Sequence, residues 1–360
     1  MVLASMEQWQ QELSQSLRSL EDLKPFFSVS DKGVLEEVVG MLPLRITPHT
    51  ASIIDWENVD DPILRMSIPS EGELAIQTFE HKDPIGDHVH EPVPHLTHRY
   101  HNRALVHLTN ICAQHCRFCF RRCRQFTGVI EKESFDRILI YLQDHPEVEE
   151  VIFTGGDPLV LPDDQLSHHI SSIASIETIK RLRIHSRIPV VLPSRVTEKL
   201  LFSLIDACQG KALTIVTHFN HAQEIAEENR KVIEMIRGAK ILIKNQHVLL
   251  KGVNDSVEVL ADLYQQLFDL DVELYYLHQL DLAKGTQHFR VPISKGLALM
   301  KALREQVPHL KLPTYMLDIP RGGGKVNLES ENAEEMGKGV YQLKNFKGKV
   351  FQYRDPGVLS

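Results

Sequence analysis

The feature that most constrains this fold is an alternation of short β-rich runs with amphipathic helical patterns, repeated roughly every thirty residues from Arg103 onward. The β-rich runs are ALVHLT, EVIFTG, RLRIHS, ALTIVTH, ILIKNQ, ELYYLH and LPTYML. Segments such as SFDRILIYLQDH and AQEIAEENRKVIEMIRG lie between them and read as helices. Repeated βα units with right-handed crossovers build a parallel sheet that curls toward a barrel. The pattern predicts an α/β fold, a partial (β/α)6-type TIM-like barrel with its working residues at the carboxyl ends of the strands.

The sequence on either side of this alternation has a different character. Residues 1–100 predict a helical and irregular N-terminal region, and residues 101–320 predict the partial barrel. Residues 321–360 predict a glycine-rich loop followed by a short hairpin, because YQLKNFKGKVFQYRDPG alternates apolar and polar residues around Lys347 and Gly348. We therefore expect a helical leader, a barrel and a closing hairpin in that order.

Composition excludes some classes of protein. The hydrophobic fraction of 42% is ordinary for a globular protein, and no apolar run reaches the roughly 20 residues of a membrane span. The N-terminus is polar and lacks the pattern of a secretory signal, so we expect a cytoplasmic protein. The net charge of -8 argues against a large nucleic-acid surface and favours a small-molecule ligand.

Four of the five cysteines lie within twelve residues. In a reducing cytosol such clustering favours metal binding over disulfides. Cys112, Cys116 and Cys119 follow the first barrel strand, so three thiolates would converge from one loop. Three ligands would hold a four-iron cluster and leave one iron open to an external molecule. A structural zinc site completed by Cys123 or a histidine is the alternative, although the usual zinc spacing is missing.

Two glycine-containing segments are also candidates for a role in ligand binding or catalysis. Gly155 and Gly156, at the end of the second strand, would let backbone approach a ligand, or would simply form a tight turn. Near the C-terminus, Lys325 ends the run DIPRGGGK, where its amine could reach an aldehyde on a flexible loop after an apolar strand. The run lacks the spacing of a phosphate-binding P-loop, and a surface loop is the remaining alternative.

Several motifs in one order make the chain resemble the lysine 2,3-aminomutase family, radical S-adenosylmethionine enzymes that also use pyridoxal phosphate. The resemblance runs from about Asp61 to YRDPG, and its clearest stretches are LTHRYHNRALVHLTNICAQHCRFCFRR, FTGGDPL, RLRIHSRIPVVLPSR, THFNH, NQHVLLKGVND, YYLHQLDLAKGTQHFRVPISKG and DIPRGGGK. It implies isomerisation of L-lysine to β-lysine by a 5′-deoxyadenosyl radical acting on a pyridoxal-bound substrate. The implied partner is an external one-electron reductant such as flavodoxin or ferredoxin.

The resemblance implies a cofactor role for nine residues. A 4Fe-4S cluster would be held by Cys112, Cys116 and Cys119. S-adenosylmethionine would bind at Gly155, Gly156 and Asp157. Pyridoxal phosphate would form a Schiff base with the catalytic Lys325, with its ring and phosphate against Tyr100 and Arg103.

Three further residues match the substrate-binding positions of the family. Arg121 matches the arginine that binds the substrate carboxylate, and Asp281 and Asp318 match the two acids that grip the ε-ammonium of lysine. An acidic substrate side chain would leave two desolvated carboxylates repelling it, so the pair favours lysine over glutamate. Taken singly, Arg121 could belong to a solvated basic loop and each aspartate could be a loop cap.

Several points stay open on sequence grounds. The same motifs suit an enzyme that makes β-lysine for the modification of translation elongation factor P. A non-catalytic iron–sulfur or zinc-binding interaction protein is the alternative from another class. Histidines 88, 90, 95, 98 and 101 have irregular spacing that favours packing or solvated side chains, and no role is assigned to Cys123, His218 or Asn220. The leader could pack against a second subunit in a homo-oligomer.

Overall fold

The computed structural model describes residues 6–26, 32–123, 128–307 and 312–358. The α-helices in these ranges are α1 Gln8–Ser14, α2 Leu20–Leu23, α3 Lys32–Met41, α4 Pro48–Ile53, α5 Pro62–Ser67, α6 Lys132–Asp144, α7 Asp163–Ala174, α8 Ile188–Val191, α9 Glu198–Ala207, α10 Glu227–Gly238, α11 Val257–Asp269 and α12 Ile293–Gln306. The strands are β1 Leu96–Tyr100, β2 Arg103–Thr109, β3 Glu150–Gly155, β4 Arg181–His185, β5 Ala212–Thr217, β6 Leu242–Val248, β7 Glu273–His278, β8 Thr314–Ile319, β9 Gly324–Asn327, β10 Ala333–Gly337, β11 Val340–Lys344 and β12 Val350–Arg354.

Strands β1 to β9 form one mixed sheet in which spatial neighbours follow chain order. Strands β2 to β8 are parallel to one another, whereas β1 and β9 flank them in antiparallel pairing. Parallel neighbours need a crossover, and each of the six connections between β2 and β8 contains at least one α-helix. The predicted partial (β/α)6-type barrel is confirmed, and β8 adds a seventh parallel strand to it.

The barrel forms because its strands are buried on both faces and its helices on one. In β3, the residues from Val151 to Thr154 are all buried, which is the continuous pattern of a parallel strand covered on both sides. Helix α6 buries Phe135, Ile138 and Leu142 at helical spacing against this sheet and leaves its other face in solvent. Among the helices of the described ranges, none has the length and apolar character that a membrane crossing requires.

The N-terminal region lies against the cysteine loop. Leu23, Ile46 and Met66 of this region share one hydrophobic cluster with Phe118 of the cysteine loop and with Phe289. This cluster is separate from the main barrel core. Helices α1 to α5 belong to this region, and its side chains cover the end of the barrel where the cysteines lie. Strand β1, inside the predicted leader, is already part of the main sheet.

The C-terminal region differs in two details from expectation. Strands β11 and β12 pair as an antiparallel hairpin, and β10 adds a third antiparallel strand to it. Lys325 does not lie on a loop: it is in β9, directly opposite Asp318 of β8. The intervening glycines supply the positive φ angles of the turn, 83° at Gly322 and 89° at Gly324, so the chain reverses before the lysine. Residues directly opposite in an antiparallel pair share one face of the sheet, which explains the closeness of this lysine and aspartate.

Candidate active site

A cavity of about 280 Å³ is lined by residues that follow the carboxyl ends of the parallel strands. Its walls contain all twelve of the candidate residues selected from the sequence: Tyr100, Arg103, Cys112, Cys116, Cys119, Arg121, Gly155, Gly156, Asp157, Asp281, Asp318 and Lys325. They come from stretches of the chain more than 200 residues apart. The barrel topology brings them together because parallel strands present their carboxyl ends at one rim.

Three thiols lie on the loop after β2. Burial raises the pKa of Cys112 and of Cys119, and the charge of neighbouring cysteines adds to the rise. A positive group beside these thiols would oppose the rise in their pKa and favour the thiolate form. Cys123 does not line this cavity, so three cysteines face it. Among the described residues, no three His, Cys, Asp or Glu side chains are grouped closely enough to hold a single metal ion.

The N-terminal region holds the cysteine loop in place. Arg45 Nη1 donates to the carbonyl oxygen of Cys112 at 2.9 Å, and the backbone N of Arg117 donates to the Met66 carbonyl at 3.0 Å. Arg117 and Glu73 form a wholly buried bidentate pair, with N···O distances of 2.7 and 2.9 Å. Arg122 reaches the same carboxylate at 2.5 Å. Sequence inspection missed Glu73 because no local motif marks it.

This pair leads to a stability prediction. Glu73→Gln should lower the free energy of unfolding by about 3–5 kcal/mol, because two buried guanidinium groups lose their charge partner. Urea unfolding followed by far-ultraviolet circular dichroism measures this. The matched control is Asp136→Asn, which breaks the exposed pair with Lys132 and should cost less than about 1 kcal/mol. Equal effects of the two substitutions would contradict the bracing role of Glu73.

Gly155 and Gly156 place β3 directly against the cysteine loop. A Cβ atom at Gly155 would lie 2.2 Å from the Thr109 carbonyl oxygen, and one at Gly156 would lie 2.4 Å from that of Ile111. Gly155 also has a φ of 120°, which other residues rarely adopt. The glycines are therefore required for contact between two backbone segments that both line the cavity.

The carboxylate oxygens of Asp157 accept hydrogen bonds from other residues of the chain. They accept hydrogen bonds from Ser186 Oγ at 2.6 Å, from the Arg187 backbone N at 2.7 Å and from the backbone N of Leu159 and Ile188 at 3.1 Å each. Burial raises the pKa of Asp157, and these hydrogen bonds oppose the rise. The side chain holds the segment after β4 against the end of β3, which is a positioning role.

The opposite part of the cavity contains a cluster of buried and half-buried charges. Lys325 Nζ forms an ion pair with Asp318, and the Lys325 backbone N donates to Tyr100 Oη at 2.9 Å. Burial lowers the pKa of Lys325, but the Asp318 carboxylate outweighs it, so the net direction is upward and the side chain is an ammonium. Burial raises the pKa of Asp281 to about 7, and repulsion from Asp318 adds to the rise. Two carboxylates thus share one desolvated region with one cation.

Arg99 and Asp87 complete this charge cluster, and both were missed from the sequence. Arg99 Nη1 lies 3.4 Å from Asp318 Oδ1, and its Nη2 lies 3.4 Å from Asp87 Oδ1. Asp87 in turn lies 3.5 Å from Arg121 Nη2. THRYHN marks Tyr100 and Arg103 by family resemblance, but nothing local distinguishes Arg99 from a surface arginine. Only burial reveals it.

Arg121 retains capacity to bind an anion. Its contacts to Asp87 and Thr154 are long, at 3.5 and 3.4 Å, and its buried Nε has no hydrogen-bond partner in the structure. A carboxylate can accept two parallel hydrogen bonds from such a guanidinium. Arg103 behaves differently, since its guanidinium carbon lies 4.0 Å from the centroid of the Tyr100 ring and packs on it.

Several histidines have environments that the sequence alone did not show. His185, His218 and His278 line the cavity, and burial lowers the pKa of each well below its usual value, so all three are neutral. The Nε2 atoms of His185 and His218 have no hydrogen-bond partner. Asn220 is buried and accepts from the Val248 backbone N at 3.2 Å, which is a structural contact.

Three of the histidines between positions 88 and 101 have separate partners. His88 contacts Glu91 at 3.3 Å, His90 contacts the Gly322 carbonyl oxygen at 3.0 Å, and His98 contacts Tyr141 Oη at 2.9 Å. The three partners lie in different parts of the chain and share no common site. The histidines therefore act as individual packing and surface side chains.

Comparison with known proteins agrees with this geometry. Residues 106–264 match the Radical SAM superfamily. The L-lysine 2,3-aminomutase of Methanococcus maripaludis is 34% identical, over 98% of this chain and 83% of that protein. That of Clostridium subterminale is 34% identical, over 98% and 85%. The glutamate 2,3-aminomutase of Clostridioides difficile is 33% identical, over 98% and 83%.

Among solved structures, native anSMEcpe with bound AdoMet is similar with a TM-score of 0.44 and 11% identity, over 56% of this chain and 59% of that chain. The relatives named above align along nearly the whole chain rather than only the matched superfamily region. The chain therefore belongs to the lysine 2,3-aminomutase family, isomerases of the radical S-adenosylmethionine superfamily that use S-adenosylmethionine and a 4Fe-4S cluster.

Proposed function

We propose that this aminomutase interconverts L-lysine and β-lysine and that Lys325 binds pyridoxal phosphate. The observation that carries the proposal is the pairing of Asp281 with Asp318 in the same cavity as Lys325. Asp318 is buried and Asp281 is half-buried, and the side-chain ammonium of a lysine substrate would bring a further positive charge to these two carboxylates. A glutamate side chain would add a third negative charge to the same region.

The charges of the cavity match both ends of a lysine molecule. Arg121, with its unpartnered Nε, can take the α-carboxylate, and the two aspartates can take the side-chain ammonium. Fixing both ends leaves the substrate one orientation in the cavity, which is how positioning contributes to rate. The aspartate pair supports specificity for a basic amino acid over an acidic one.

Three cysteines and one lysine are proposed to hold the cofactors. Cys112, Cys116 and Cys119 would present three thiolates to the cluster, and Lys325 would present its amine to the same cavity from β9. S-adenosylmethionine with the cluster supplies the radical that starts the reaction, and pyridoxal phosphate supplies an aldehyde that holds the substrate amine and stabilises a neighbouring carbon radical. A one-electron donor such as flavodoxin or ferredoxin is part of the proposal.

Lys325 must lose a proton before it can act as a nucleophile. Its ammonium is paired with Asp318, whose carboxylate lies in direct contact to receive that proton. Asp318 must pass that proton on to solvent before it is again a carboxylate that can bind the substrate ammonium. Tyr100, which accepts from the Lys325 backbone N at 2.9 Å, keeps the strand in position while the charge changes.

The proposal is tested with anaerobically reconstituted enzyme supplied with both cofactors, reductant and one amino acid at a time. L-lysine should give β-lysine, detected by mass spectrometry, and L-glutamate is the control because one relative is a glutamate 2,3-aminomutase. Product from glutamate and none from lysine would overturn the substrate assignment. Loss of β-lysine-modified elongation factor P in a deletion strain would assign the product to that modification.

The raised pKa of Asp281 predicts a pH dependence. The substrate ammonium binds the ionised carboxylate, and burial raises the pKa of Asp281 to about 7 in the free enzyme. Affinity for lysine should therefore fall as pH decreases through about 7, approaching tenfold per pH unit below it. KM measured between about pH 6 and 8 checks this. Asp281→Asn should bind lysine more weakly at high pH and lose the slope, and an unchanged slope in that variant would exclude Asp281 as its source.

A further inference from the structure

Arg187, just after β4, contacts one of the cysteines directly. Its Nη1 donates to Cys116 Sγ at 2.7 Å, its Nη2 forms an ion pair with Glu224, and its Nε lies 3.4 Å from the His218 carbonyl oxygen. Arg187 and Glu224 are both buried, with 9% and 2% of their side chains exposed. The reaction proposed above uses neither residue.

The surrounding chain holds this arginine rigidly. The Asp157 carboxylate accepts from the Arg187 backbone N at 2.7 Å, which fixes the main chain. Glu224 Oε2 accepts from the backbone N of Asn220 at 2.6 Å and of His221 at 3.2 Å, which fixes the carboxylate that faces the guanidinium. The position of the guanidinium beside the cysteine sulfur is therefore fixed by the Arg187 main chain and by the Glu224 carboxylate.

A hydrogen bond and a positive charge at a ligand sulfur favour the reduced cluster. Reduction transfers one electron from a one-electron donor to the cluster, which becomes one unit more negative without gaining a proton. Hydrogen bonds to cluster sulfurs and the local charge are among the factors that set cluster potentials. A guanidinium remains charged throughout, whereas a buried carboxylate next to it offsets part of its effect.

We propose that Arg187 sets the reduction potential of the cluster through Cys116, and that Glu224 opposes it by neutralising part of the arginine charge. The inference rests on the proposed assignment of Cys116 as a cluster ligand. Arg187 acts through that ligand and is a positioning residue for it. The two side chains form a pair whose removal, one at a time, shifts the potential in opposite directions.

The experiment is a redox titration of the full-length, anaerobically reconstituted protein without S-adenosylmethionine, followed by electron paramagnetic resonance. Arg187→Gln should lower the midpoint potential, because a donor and a positive charge are lost and Glu224 is left unpaired. Glu224→Gln should raise it, because the arginine charge is no longer offset. Arg187→Lys should fall between Arg187→Gln and the unmodified protein, and the double variant Arg187→Gln, Glu224→Gln should lie closer to the unmodified protein than Arg187→Gln does.

The matched control is Arg183→Gln. Arg183 lines the same cavity and is paired with Glu150 at 2.5 Å, but its contacts in the structure are to Glu150 and Tyr275, so the potential should stay unchanged. Shifts of one sign in both Arg187→Gln and Glu224→Gln, or no shift in either, would overturn the inference. The iron content of Cys116→Ala distinguishes a failure of the ligand assignment from a failure of the role of Arg187. Full cluster content in that variant refutes the ligand assignment. Loss of the cluster supports that assignment and leaves only the role of Arg187 to be decided by the potentials.

Discussion

Cys116→Ala is expected to abolish cluster assembly and, with it, activity. Three thiolates from one loop are the protein's proposed ligands, and the substitution leaves only two of the three bonds that would attach the cluster to the protein. Without the cluster no electron reaches S-adenosylmethionine, so the rate should fall at least about 10⁴-fold, toward the uncatalysed background. Iron and sulfide content, visible absorbance and product formation measure the effect on one preparation.

The control for this substitution is Cys123→Ala. Cys123 follows Cys119 by four residues but does not line the cavity, so the variant should keep its cluster and most of its activity. A loss of cluster in Cys123→Ala equal to that in Cys116→Ala would replace the three-ligand assignment with one that includes Cys123. A retained cluster in Cys116→Ala would remove Cys116 from the ligand set.

Lys325→Ala is expected to lose the covalent attachment of pyridoxal phosphate and nearly all activity. Lys325 Nζ is in direct contact with Asp318 in the cavity, and among the residues that line it Lys325 is the single lysine. Incubation with pyridoxal phosphate, borohydride reduction and peptide mapping should label the peptide that contains Lys325. The variant should show no label, and its rate should fall by about 10³-fold or more because the substrate amine is no longer activated.

Two further substitutions make the result specific. Lys325→Arg keeps a cation beside Asp318 but has no primary amine, so it should fold normally and remain unlabelled. Lys347→Ala removes an exposed lysine in the turn between β11 and β12 and should leave the label in place. Labelling of Lys325→Arg, or a label on another peptide of the unmodified protein, would show that a different lysine binds the cofactor.

Local motifs in the sequence were sufficient to predict part of this site. Cys112, Cys116 and Cys119 lie within eight residues, so their convergence on one loop depends on spacing alone. Gly155 and Gly156 were recognisable at a strand end, and their function in close backbone contact follows from the missing Cβ. The alternation of β-rich and helical runs was also local, and it predicted the barrel that the structure contains.

The position of Lys325 shows where local inference failed. Three consecutive glycines suggested a flexible loop that carries the lysine, but the glycines form the turn of an antiparallel hairpin. The sequence does not reveal which residues of β8 and β9 pair. Register places Lys325 opposite Asp318, and this pairing explains why the lysine is charged in the free enzyme.

The sequence alone determined the fold class and the residue types of the chemistry, because βα periodicity, cysteine spacing and glycine placement are properties of short segments. Tertiary structure decided how the cavity is charged. Arg99 meets Asp318 across 219 positions of chain, Arg187 meets Cys116 across 71, and Arg117 meets Glu73 across 44. Burial strengthens these contacts, since removing water strengthens electrostatic interactions and penalises any charge left unpaired. Whether a given arginine is buried depends on the closed barrel and its N-terminal cover, which no short segment encodes.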